Sequence, residues 1–174
     1  MEHYYRCPFA YNQHYYSMYR NEGNIQPDPY TYPGNFPGAL RLIEEAVTGE
    51  REDELFYDYL ISAAPTQEAK NIIGGIRDNE IKHNKLFRKI YTDLTGKVLP
   101  VNQNVNFERP SSYCDGIKKA LQGELAAVQR YRRILFALQN RVHINMLTEI
   151  ITDEIRHANL YNFLFTLGRC AEQY

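Results

Sequence analysis

Two stretches of this 174-residue chain align with each other at a constant offset of 74 residues, without a gap. Ile43 pairs with Ile117, Ala46 with Ala120, Gly49 with Gly123, Glu50 with Glu124 and Tyr57 with Tyr131. Further along, Ile76 pairs with Ile150, Glu80 with Glu154, Ile81 with Ile155, His83 with His157 and Leu86 with Leu160. Such a match marks the duplication of one supersecondary unit. The fold must therefore be made from two copies of one piece, and the polar identities fall inside the apolar pattern of that piece.

The piece is a helical hairpin. Positions 40, 43, 47, 50, 54, 57 and 61 step by three and four, the seam of an amphipathic helix, with Pro37 suited to its first turn. Pro65 breaks the pattern. A second helix is expected over about 66–94, with Ile72, Ile76, Glu80, His83, Leu86 and Ile90 on one face and Gly96 at its end. A polar connection over 95–111 follows. Ser111 or Ser112 can cap a third helix over about 112–139, and a fourth runs over about 142–167 to Gly168. No alternating strand pattern interrupts them. The expectation is an all-α four-helix bundle of two pseudo-symmetric hairpins. The 17-residue connection can reach about 56 Å when extended, enough to return along the length of a helix.

Hairpin geometry brings the polar seam residues together. Glu50 and Glu80 are equidistant from Pro65, and Glu124 and Glu154 are equidistant from the break at Gln139–Asn140. Each lies about 22 Å from its turn at 1.5 Å rise per residue. His83 and His157 follow Glu80 and Glu154 by one turn on the same faces. Packing the hairpins about a common axis converges four Glu and two His in mid-bundle. One Glu-x-x-His means little, because chance supplies such pairs. Two copies, each with a Glu thirty residues upstream on an Ile, Leu and Val seam, are a different matter. Four bare carboxylates in an apolar core would each cost several kcal/mol. No Lys or Arg occupies the seam positions, so two divalent cations are the expected counter-charge, and carboxylate with imidazole suits iron or manganese. Tyr57 and Tyr131 follow Glu50 and Glu124 by two turns and can donate to the ligand carboxylates. Gly74 and Gly75 cost the second helix about 1 kcal/mol each relative to Ala, which a close helix approach or a kink would explain.

The arrangement resembles the ferritin-like di-iron carboxylate superfamily, whose signature is one Glu from each of two helices and Glu-x-x-His from each of the other two. The resemblance covers about 38–168. The alike hairpins, each with a His, look more like the rubrerythrin and bacterioferritin branches than classical ferritin, and the string DEIRHA at 153–158 looks particularly rubrerythrin-like. It implies that Glu50, Glu80 and His83 serve one half and Glu124, Glu154 and His157 the other, with Glu80 and Glu154 bridging two iron ions and Glu50 and Glu124 terminal. Rubrerythrins proper also carry a rubredoxin module, absent here, and an extra Glu one turn after the third-helix ligand. That position is Ala127; its pseudo-symmetric counterpart is Asp53, with Glu54 beside it, and either could add a carboxylate. The implied function is reaction with O2 or H2O2 of peroxidase or ferroxidase type, with electrons from an external donor, in a homodimer. The alternatives are a di-manganese catalase-like enzyme and a structural, spore-coat-like protein with a self-associating tail.

Composition narrows the rest. A net charge of −1 gives no electrostatic case for nucleic acid or an anionic membrane. No apolar run approaches the ~20 residues of a membrane span and no signal peptide opens the chain, so the expected location is cytoplasmic, or spore-associated under the structural alternative. Three Cys without C-x-x-C argue against a disulfide framework and a rubredoxin-type iron site, and Cys114 and Cys170 are expected as packed or free thiols. His143, His3 and His14 are expected on the surface. Residues 1–37 hold eight of the 15 Tyr and five of the eight Pro. They read as an extended strap partly packed on the body or a neighbour. The bundle domain then spans 38–168 and a short tail 169–174.

Overall fold

The computed structural model describes residues 28–101 and 107–173, with the backbone alone at 50 and 173. The Tyr-rich segment before Asp28 lies outside the described residues, as do 102–106. Five α-helices account for the body: α1 (Phe36–Thr48), α2 (Glu50–Ala63), α3 (Gln67–Thr95), α4 (Tyr113–Leu135) and α5 (Arg141–Leu167), with a 3-10 turn at Cys170–Gln173. No strand occurs among the described residues.

The helix ends follow from local chemistry. Thr66 caps α3 by accepting from the Ala69 N–H, and Gly96 ends it in the left-handed region at φ 69°. Ser112 caps α4 through the Asp115 N–H, and Asn140 caps α5 through those of Val142 and His143. Gly74 and Gly75 leave α3 unbroken, and a side chain at either would meet nothing within 4 Å.

Four expectations need correction. The expected first helix is two, α1 and α2, divided at Gly49. Residues 28–35 are not an extended strap but compact turns, with the Thr31 N–H on Asp28 O and the Asn35 N–H on Thr31 O. Tyr30 touches the body at one ring, 4.9 Å from that of Phe136, and stays 70% exposed. The third helix stops at Leu135 rather than 139, and Ala137 and Leu138 fold into the core from the turn beyond it. Cys114 and Cys170 are neither free nor merely packed. They form a disulfide that ties the end of the chain to the start of α4. Gly168 is needed here less for its φ than for space, since a Cβ would sit 3.2 Å from Cys170 Sγ; the left-handed residue is Arg169, at φ 50°.

The bundle has two apolar ends. One contains Ile43, Val47, Phe87, Ile90, Tyr131, Ile134, Leu147 and Ile150. The other contains Tyr57, Leu60, Ile73, Ile76, Ile117, Ala120, Tyr161 and Leu164. Burying each large aliphatic side chain contributes about 1.5–3 kcal/mol. Ile90 near the end of α3 and Ile117 near the start of α4 lie in opposite ends, as two stacked hairpins require. Each of α3, α4 and α5 passes from one apolar end to the other, and between them runs a polar layer.

Candidate metal centre

That layer holds Glu80 and His83 from α3, Glu124 from α4, and Glu154 and His157 from α5. His83, Glu124, Glu154 and His157 are buried, His157 completely. The side chain of Glu80 is 22% exposed. One donor atom each from Glu80, Glu124, Glu154 and His157 lies within 4.8 Å of all the others. His83 joins from the side, its Nδ1 3.1 Å from Glu154 Oε1 and 3.3 Å from Glu80 Oε1. His157 Nδ1 is 3.0 Å from Glu80 Oε1 and 3.7 Å from Glu124 Oε2. The imidazoles stack at 5.8 Å between centroids. Five of the six expected ligands thus converge. The sixth, Glu50, has its backbone at the first position of α2, and its side chain lies outside the described residues.

The short distances do not make hydrogen bonds. Glu80 Oε1, Glu154 Oε1, His83 Nδ1 and His157 Nδ1 are all buried without a hydrogen-bond partner. Buried polar atoms are rarely left so. Here four of them gather in one place, and they are the hard oxygen and imidazole donors that iron or manganese accepts. The residues present fit such a pair of ions.

Protons supply the missing positive charge in the metal-free protein. Burial pushes Glu154 up to about 9, against the pull of His83. Burial also pushes Glu124 up to about 8, against the pull of Glu154. For His83 burial works downward, but Glu154 and Glu80 overcome it and hold the imidazole proton up to about 10. Glu80 moves the other way: burial would raise it, and His157 and His83 together keep it below its ordinary value. At neutral pH the cluster therefore carries protons that bound cations would displace.

A cavity of about 50 Å³ opens onto Glu80 and His83 between α2 and α3, with Asp53, Glu54, Tyr57, Arg77, Phe87 and Tyr131 among its walls. Asp53 is exposed as a residue, yet the low dielectric around its carboxyl and the neighbouring charges of Glu80 and Glu52 raise it to about 7. Glu54 is engaged elsewhere, 2.5 Å from Arg51. Tyr57 and Tyr131 are buried beside the cluster, and burial raises both phenols before the nearby carboxylates add to it. Among the described residues no hydrogen bond joins either phenol to a cluster carboxylate.

Sequence reasoning missed three residues here. Asp153 accepts from His83 Nε2 at 3.1 Å, and Asn79 Nδ2 donates to the same Asp153 oxygen at 3.1 Å. Both lie one residue before the seam Glu and off the seam itself, which hid them. Tyr161 is fully buried, with the Tyr57 phenol beside its hydroxyl. It follows Glu154 by seven residues, the spacing that singled out Tyr57 and Tyr131, so its signal was present. His143 also differs from expectation: it is buried, with Nε2 3.0 Å from Asp93 Oδ2 at the far end of the bundle.

Several known proteins are similar to this chain. An uncharacterized protein of Bacillus subtilis (strain 168), YhjR, is 29% identical over 132 residues, 74% of this chain and 90% of that one. A hypothetical protein from Pyrococcus furiosus superposes with a TM-score of 0.60 at 20% identity, covering 74% of this chain and 87% of its own. A conserved hypothetical protein, rv2844, from Mycobacterium tuberculosis does so with a TM-score of 0.61 at 12% identity, covering 76% and 93%. At these identities the two structures speak for the fold alone. The Rubrerythrin family profile matches residues 41–165, which span every described donor of the cluster, and the chain belongs to the rubrerythrin family.

Proposed function

We propose that the protein holds two redox-active metal ions, iron in the first reading, and reduces H2O2 or O2 at them. The observation that carries this is the set of unpartnered buried donors on Glu80, His83, Glu154 and His157. Glu80, His83, Glu124, Glu154 and His157 would hold the ions, with Glu50 as the sixth ligand expected from the repeat. When bound, such a pair of ions supplies the electrons that O2 or peroxide accepts. The chain's own part is to fix the donors, to exclude bulk water and to limit access. Phe87, Tyr57 and Tyr131 wall the cavity. At about 50 Å³ it admits a molecule of peroxide size, since by the same measure one water needs roughly 10–15 Å³. Asp53 at its edge is the better placed of the two candidate extra carboxylates, because Glu54 is paired with Arg51.

Full-length protein reconstituted anaerobically with Fe(II) is expected to bind two ions per chain and to consume H2O2 when a one-electron reductant is added. E80A and E154A should lose both properties. Failure of the unaltered chain to bind any metal would overturn the reading.

One observation favours a di-manganese variant. The Cys114–Cys170 disulfide leaves Cys7 as the third cysteine, so this chain has no thiol set for a rubredoxin-type electron donor. Disproportionation of H2O2 needs no external reductant. Protein loaded with Mn(II) that evolves O2 from H2O2 without added reductant would support this variant over iron.

A further inference from the structure

The internal repeat is broken where it supports the two histidines. Under the 74-residue offset, Asp153 corresponds to Asn79 and Arg156 to Lys82. His83 Nε2 therefore meets a carboxylate, Asp153 Oδ2, at 3.1 Å. That carboxylate is held in place by Asn79 Nδ2 at 3.1 Å and by Arg156 NH2 at 3.0 Å. Among the described residues His157 has no equivalent. Asn79, which the repeat would aim at it, is bonded to Asp153, and the group beside His157 Nε2 is Arg156 NH2 at 3.5 Å. Lys82, which corresponds to Arg156, is turned to Glu149.

The chemistry of the two rings then differs. An acceptor at Nε2 fixes the proton there and leaves the Nδ1 lone pair free for a metal, and a carboxylate acceptor makes that lone pair more basic. A guanidinium can only donate. Beside it, among the described residues, no carboxylate meets His157 Nε2 to orient that ring for binding through Nδ1.

We propose that the two metal positions are inequivalent: Asp153 is a positioning residue that makes the His83 position the tighter one, and Arg156 leaves the His157 position the weaker one. This rests on reading the cluster as a two-metal site. It deepens that reading by dividing the pair into a retained and an exchangeable ion.

The test is an anaerobic optical titration of full-length, metal-free protein with Co(II). The unaltered protein should fill in two resolved steps. D153N, which keeps shape and removes the charge, should weaken the first step by about 10–100-fold and leave the second in place. R156Q, at a side chain 53% exposed, should tighten the second step; because Arg156 also bonds Asp153, the first step should weaken by less than it does in D153N. Two steps of equal affinity in the unaltered protein, or equal weakening of both by D153N, would overturn the proposal. Absence of any binding would overturn instead the two-metal reading on which it rests. Should D153N fail to fold, a second step unchanged in R156Q is enough to reject it.

Discussion

Glu124 and Glu154 face each other from α4 and α5, 5% and 2% exposed, and burial keeps both carboxyls protonated above neutral pH. An unfolded chain would ionise the same groups near their ordinary value of 4.5.

That relationship fixes the sign of a pH dependence. Between roughly pH 4.5 and 9 the folded metal-free protein binds more protons at these carboxyls than the unfolded chain, so its stability falls as pH rises. His83, held protonated up to about 10, pushes the same way above its ordinary 6.5, whereas Glu80, lowered, adds stability that is lost only in acid. The melting temperature of metal-free protein is expected to drop steadily from pH 6 to pH 9. Saturating divalent metal should flatten the profile, because the cation replaces the protons.

The same carboxyl can be neutralised by substitution. E154Q retains the shape of the side chain and cannot ionise. Its metal-free melting profile should be visibly shallower from pH 6 to 9 than that of the unaltered protein, while its metal affinity falls by at least about 10-fold. Calorimetry across pH, paired with metal analysis, reads both.

The glycines separate into two kinds. A Cβ at Gly116 would lie 2.5 Å from Leu60 Cδ2, and Leu60 is fully buried on α2. G116A is expected to cost about 1–3 kcal/mol through overpacking, less the helix propensity it gains. G74A, G75A and G123A meet nothing within 4 Å and should each stabilise by about 0.5–1 kcal/mol. Denaturant unfolding distinguishes the two outcomes.

What could be read from the sequence depended on how local the cause was. Thr66, Gly96 and Ser112 act on backbone groups within a few residues, so three helix ends were legible to within one residue. The convergence of Glu80, Glu124, Glu154, His83 and His157 was legible because the duplication turns sequence distance into height along the bundle. Asp153 and Asn79 were not, since their partners depend on the rotation of α3 against α5 and not on height. The pairing of Cys114 with Cys170 depends on where the chain goes after α5, and 56 residues of separation carry no local sign of it. Nor does any residue type beside Gly49 dictate that one copy of the long helix should divide there while α4, with Gly123 in the same place, runs on.

Removal of the disulfide offers a further check. Joining residues 56 apart restricts the unfolded chain, and its loss is expected to cost about 2–5 kcal/mol. Reduced protein, or C114A/C170A, should melt well below the oxidised form. Its metal stoichiometry should not change, because neither cysteine belongs to the polar layer.

The bond between Cys114 and Cys170 also makes a covalent ring of the second hairpin. Glu124, Glu154 and His157, three of the four donors that cluster most tightly, all lie on that ring. Even after every helix has melted, these three remain tethered within one closed loop, at a local concentration an open chain could not sustain. A metal ion meeting the unfolded, oxidised protein would find most of one coordination shell already gathered, and refolding around it would begin with the half of the molecule that the ring encloses.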